Sequence, residues 1–110
     1  MTATLRATNE AGETYDDPSE FRLLTLLEEL GSGNSFLIVE RLEPERPNSF
    51  MQALMGADDA AWILEYREGA QETHHSTSLD SLRAVHAVLI GWAFEMLGWR
   101  DGLDWTPVRY

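Results

Sequence analysis

The chain has no cysteine and no lysine, and each absence removes a body of chemistry. Without thiols there are no disulfides, no thiolate nucleophile and no cysteine-ligated metal. Without lysine no phosphate-binding P-loop can be completed, and the glycines are single or occur as Gly31-Ser32-Gly33, outside any dinucleotide fingerprint. Long apolar runs are also missing. No segment approaches the roughly 20 apolar residues that cross a bilayer, and Met1 to Arg6 has no apolar core of a signal peptide. A cytoplasmic location is the expectation.

What is present is acid. Nineteen aspartates and glutamates face eight arginines, a formal charge of −11 on 110 residues. Such a charge repels phosphate backbones and anionic lipid, so neither nucleic acid nor membrane is expected as a partner. The arginines are dispersed and not interleaved with aromatics, which argues the same way. A basic protein partner would be steered in by this field, and solubility alone would also account for it. The hydrophobic fraction of 44% is that of a globular chain, with room for one domain spanning 1–110.

Residues 3–8 read as a short strand, turned by Asn9 to Glu13. Asp17, Pro18 and Glu20 form a helix start, with Asp17 as the cap and Pro18 in the first turn. Phe21, Leu23, Leu24, Leu26, Leu27 and Leu30 give that helix an apolar face, and Gly31 ends it. Phe36 to Val39 is a buried strand, the proline-bearing stretch Leu42 to Asn48 a loop, and Phe50 to Met55 a further strand, turned at Gly56 to Asp59. Trp62, Leu64 and Tyr66 alternate with Ile63, Glu65 and Arg67, the period of a strand. Glu68-Gly69 turns it into a partner over Gln71–Thr77. A second helix, capped by Ser78 or Asp80, carries Leu82, Val85, Leu89, Trp92 and Met96 at helical spacing, widened by Leu97 and closed by Gly98. Asp104 to Tyr110 returns as an edge strand, where Pro107 is tolerated. The order predicts an α+β fold: a mainly antiparallel sheet with two helices on one face.

Candidate chemistry is sparse. His74 and His75 are adjacent on a strand, so their side chains diverge and a shared metal is not expected; a surface hairpin histidine fits better. Glu65 shares a face with Arg67, and Glu40 or Glu72 could lie on neighbouring strands. Two converging carboxylates would support a small hydrolase or isomerase. A cross-strand ion pair through Arg67 explains them without catalysis. No serine sits in a nucleophile elbow. No cofactor and no enzymatic activity are expected.

Trp62 and Trp92 lie on apolar stripes and belong to the core. Trp99 and Trp105 flank the polar turn Arg100-Asp101-Gly102, as interface anchors or as packing for the C-terminal segment. Acids cluster twice. Seven lie between Glu10 and Glu29 against Arg22 alone, and eight between Glu40 and Glu72 against three arginines. The second group falls on turns and strand ends at Glu43, Glu45, Asp58, Asp59, Glu68 and Glu72, which together with Trp99 and Trp105 form the candidate partner-binding set.

Trp62, then Glu65-Tyr66-Arg67-Glu68-Gly69, His74, Gly91-Trp92, Trp99-Arg100 and Trp105 resemble, in that order, the Imm1 family of bacterial immunity proteins. Asn34-Ser35-Phe36-Leu37 and Ser49-Phe50-Met51-Gln52 fit the same layout, so the resemblance runs from about Asp17 to Val108. It implies a small cytoplasmic protein that neutralises a cognate polymorphic toxin, often of the deaminase or nuclease classes, by direct binding without catalysis. Within it, Trp62, Glu65, Tyr66, Arg67, Glu68, Gly69 and Trp92 are expected to be structural. A homodimeric scaffold joined through a sheet edge or the Trp99–Trp105 segment is the remaining alternative, and the sequence sets no oligomeric state.

Overall fold

Alternation of buried and half-exposed residues along the strands builds a single sheet with one closed and one open face. A computed structural model of the chain describes residues 2–56 and 61–108. The strands are β1 (Leu5–Asn9), β2 (Thr14–Asp16), β3 (Phe36–Arg41), β4 (Ser49–Leu54), β5 (Trp62–Glu68), β6 (His75–Leu79) and β7 (Thr106–Pro107). They pair in the order β2-β1-β3-β4-β5-β6-β7, every neighbour antiparallel. The helices are α1 (Glu20–Glu28) and α2 (Leu82–Ala93). The α+β architecture is therefore the one the sequence predicts, with β2 as an addition. Its three exposed or half-exposed residues are too few and too polar to signal a strand.

The register puts Ala7, Val39, Met51 and Tyr66 in one row, and Leu37, Ala53 and Leu64 in the next. These residues, with Leu5, Trp62 and Leu79, pack under Leu23, Leu26 and Leu27 of α1 and Val85, Leu89 and Trp92 of α2. Each large apolar side chain so buried contributes roughly 1.5–3 kcal/mol. The two tryptophans expected in the core, Trp62 and Trp92, are both there. Phe21, expected on the apolar face of α1, instead stands 77% exposed.

The caps sit beside the expected positions. Ser19 caps α1, its Oγ accepting from the Arg22 amide at 3.0 Å, and Ser81 caps α2, its Oγ accepting from Ala84 at 3.1 Å. Asp17 is released for another task. With φ at 48°, it turns its carboxylate back to β1, where Oδ1 accepts from the Thr4 and Leu5 amides at 2.9 and 3.0 Å. Helix α1 ends at Glu28, and Gly31 opens a tight loop by exchanging backbone bonds with Asn34.

Helix α2 stops at Ala93, five residues before the expected Gly98. The cause lies outside the helix. Trp99 folds back over Gly91, where a Cβ would stand 2.7 Å from the Trp99 Cβ. Reaching that contact forces the chain to reverse over Phe94–Gly98, with Glu95 at φ 55° and Gly98 at φ 81°. Met96 and Leu97, expected in the helical stripe, are on this reversal and exposed.

Candidate functional site

The β5–β6 hairpin is longer-looped than a two-residue turn. Gly69 at φ 93° leads into a single 3-10 turn, Gln71–Thr73, before β6 starts at His75. The hydroxyl of Thr73 closes this loop, accepting from the Glu68 amide at 3.0 Å. The loop sends the two adjacent histidines to opposite sides of the sheet. His75 stacks on Tyr66 on the helix side, ring centroids 5.3 Å apart, while His74 meets the edge of the Phe50 ring on the open side at 5.7 Å. Their divergence matches the expectation. His74 is not a surface histidine, however; it is only 4% exposed, because Phe50, Glu65 and Arg67 enclose it.

On this open face Arg67 Nε donates to His74 Nδ1 at 3.2 Å, and His74 Nε2 lies 2.7 Å from Glu65 Oε1. Acceptance at Nδ1 requires the tautomer with hydrogen on Nε2, which then donates to the carboxylate. The Arg67 guanidinium also lies 5.6 Å from the Phe50 ring centroid. Arg67 thus reaches Glu65 through an intervening imidazole, an arrangement more closed than the expected cross-strand ion pair. Glu40 stands opposite Phe50 on β3, so β4 separates it from Glu65, and Glu72 is exposed in the 3-10 turn. Among the described residues, no group of three His, Asp or Glu side chains is placed to hold a metal ion.

Trp99 and Trp105 are half-buried against Tyr66. Their rings meet it edge-on at 5.1 and 4.8 Å, and each other at 5.9 Å. Trp105 Nε1 donates to the Arg100 carbonyl at 2.9 Å, while the Arg100 guanidinium lies over the Tyr66 ring at 5.3 Å. Burial pushes the Tyr66 hydroxyl above its ordinary pKa, with the Arg100 charge opposing. The aromatic segment therefore forms a packed cluster that leaves part of each tryptophan to solvent.

The register also sorts the candidate acids. Ser49 pairs with Glu68, so the β3–β4 loop with Glu43 and Glu45 and the β5–β6 loop with Glu68 and Glu72 project from the same end of the sheet. The β4–β5 connection leaves from the opposite end, where Leu54 pairs with Ile63; Asp58 and Asp59 lie outside the described residues. None of the carboxylates of Glu43, Glu45, Glu68 and Glu72 has a hydrogen bond or ion pair within the described residues.

Arg41 and Arg46 sit beneath this end. Arg41 is buried and caps α2 from outside, one terminal nitrogen donating to the Trp92 carbonyl at 2.6 Å, its guanidinium 4.2 Å from the Trp92 ring centroid. Burial, then the Arg46 charge, lowers its pKa. Arg46 forms an ion pair with Glu95 at the reversal after α2. Two clefts flank that reversal. One of about 320 Å³ is lined by Arg41, Glu68, Leu97, Arg100 and Asp101, the other of about 250 Å³ by Asp17, Glu43 and Phe94.

The sequence did not point to Phe94, Met96 and Leu97 as surface residues. The spacing of Met96 and Leu97 continues the apolar stripe of α2, and the long-range contact of Trp99 with Gly91 accompanies the reversal that takes them out of it. Among the described residues no helix is long and apolar enough to cross a membrane. Comparison with known protein families, with curated proteins and with solved structures finds no match.

Proposed function

We propose that this chain is a stoichiometric inhibitor that binds a basic toxin domain, covers the surface that domain needs for its own substrate, and catalyses nothing. The observation that carries the reading is the end of the sheet where Glu43, Glu45, Glu68 and Glu72 project with carboxylates unbonded among the described residues. Glu43 and Glu68 also lie within the field of Arg41 and Arg46, but a carboxylate without a hydrogen bond or ion pair keeps most of its own field for a partner. A toxin that processes nucleic acid must present positive charge, and an acidic protein competes for that same surface.

The resemblance of Trp62 and Glu65-Tyr66-Arg67-Glu68-Gly69 to Imm1 immunity proteins supports the same class and supplies the kind of partner. The Glu65–His74–Arg67 group fits a structural role within it: Glu65 is engaged by His74, and the imidazole is enclosed. The test is calorimetric titration against the toxin domain encoded beside this chain, together with survival of cells that express both. One-to-one binding with protection is expected. No heat and no protection would overturn the proposal.

A further inference from the structure

The reversal that ends α2 presents a concentrated apolar surface. Leu97 is 103% exposed, Met96 50% and Phe94 42%, within four consecutive residues. Water-facing groups of this size on a chain reversal cost solubility and contribute nothing to the core, so contiguous exposure marks a contact surface.

The reversal is also held in shape. The Phe94 amide donates to Ile90, Glu95 to Trp92 and Met96 to Gly91, at 2.9, 3.3 and 2.8 Å. Arg46 reaches across from the β3–β4 loop to Glu95, and Arg41 holds the Trp92 carbonyl from below. Trp99 seated on Gly91 fixes the return of the chain. A surface ordered before binding loses little entropy on binding.

Acid predominates around it. Glu68 and Asp101 line the cleft on the side of Leu97 and Glu43 and Asp17 the cleft on the side of Phe94, against Arg100; Arg46 is paired with Glu95, and Arg41 is buried beneath. An apolar centre within a charged rim is the layout of a protein interface. The sign of the rim selects the occupant. A second copy would bring a like-charged rim against this one, and anionic lipid would be repelled for the same reason.

We infer that Phe94, Met96 and Leu97 form the apolar anchor of the interface, entering a socket rimmed by basic side chains on the partner protein. This rests on the inhibitor reading above and assigns it a surface: Leu97 fills the socket while the flanking carboxylates meet its rim.

The experiment titrates the neighbouring toxin domain into the full-length chain and into Leu97→Asp and Phe94→Ala, with thermal melting and sedimentation of each chain alone. Leu97→Asp puts a carboxylate into an apolar socket and is expected to raise Kd by about 30-fold or more, with Phe94→Ala producing a smaller rise of the same sign. Melting of Leu97→Asp should be unchanged, because the side chain touches solvent only. Tight binding by the wild type that Leu97→Asp and Phe94→Ala both leave intact would overturn the anchor and spare the inhibitor reading. A wild type that binds no toxin overturns both. A wild-type dimer that Leu97→Asp converts to monomer would assign the surface to a second copy and overturn the basic partner.

Discussion

The two acidic groups of this chain look alike in sequence and do different work in the fold. In the first, Asp17 receives the backbone amides of Thr4 and Leu5 at the start of β1, Glu10 Oε1 receives the Ser35 amide at 2.7 Å, and Asp16 pairs with Arg6 at 2.7 Å. These bonds hold all three carboxyls below their ordinary pKa: hydrogen bonds from backbone amides lead for Glu10 and Asp17, and the Arg6 side-chain bond for Asp16. In the second, Glu43, Glu45, Glu68 and Glu72 surround the end of the sheet without such bonds among the described residues. Acid built into local structure is committed to stability, and unbonded acid gathered at one end of the sheet is available for recognition. Charge counting along the chain cannot separate the two; the donors facing each carboxylate do.

The same division separates two further groups. The family-like residues Glu65, Arg67 and His74 are bound to one another, whereas Phe94, Met96 and Leu97 offer side chains to solvent. Substitution should sort them accordingly. The largest stability loss is expected at His74→Ala, which leaves a gap beside Phe50 and strips Glu65 and Arg67 of a shared partner. A loss of about 2–3 kcal/mol follows from removing a buried hydrogen-bonding group, read from urea unfolding midpoints. A loss below about 0.5 kcal/mol would move this group to the surface class.

Gly91→Ala comes next. Alanine gains up to about 1 kcal/mol of helix propensity but must displace the Trp99 Cβ. Overpacking outweighs that gain, with a net loss of about 1–2 kcal/mol by the same measurement. Arg67→Ala should cost about 1–2 kcal/mol and Arg46→Ala at most about 1 kcal/mol, since the Arg46–Glu95 pair is exposed. Equal losses would erase the distinction between the closed group and the surface pair.

Smaller still is the acid dependence. A carboxyl whose folded pKa lies below its unfolded one stabilises fully above the unfolded value and loses that contribution as pH falls through the folded one. Asp17, lowered from an ordinary 3.8, and Glu10, lowered from 4.5, therefore destabilise the fold as pH drops past those values. Melting temperature should fall as pH drops below about 4.5, and less steeply in Asp17→Asn, which keeps an acceptor oxygen without the titration. An unaltered slope would show that the Asp17 bonds carry no linkage.

Much of the fold was legible. Alternation at Trp62, Leu64 and Tyr66 gave β5 because one face of the sheet is sealed by helices, and the Leu-rich face of α1 gave that helix. The caps lie at Ser19, two residues after the expected Asp17, and at Ser81, one residue after Asp80 and three after Ser78, since aspartate and serine offer the same acceptor and only geometry picks between them. The end of α2 and the enclosure of His74 were not legible. Both depend on contacts made across the fold, Trp99 on Gly91 and Phe50 on His74, which local periodicity does not contain. The candidate site was legible in its acids and hidden in its apolar centre for that reason.

That the unbonded acids at one end of the sheet, and not unbonded acid in general, steer the partner is tested most directly by association kinetics with the toxin domain. Glu43, Glu45, Glu68 and Glu72 changed together to glutamine are compared with Glu28→Gln/Glu29→Gln, two exposed acids at the end of α1. The N-terminal acids cannot serve as the comparison, because replacing Asp17 or Glu10 disturbs the fold itself. Loss of the hairpin charges should slow association by about 10-fold or more at low salt, flatten its salt dependence, and leave the melting temperature in place. Equal slowing by the Glu28 and Glu29 changes, or an unaltered rate in the hairpin variant, would contradict the account.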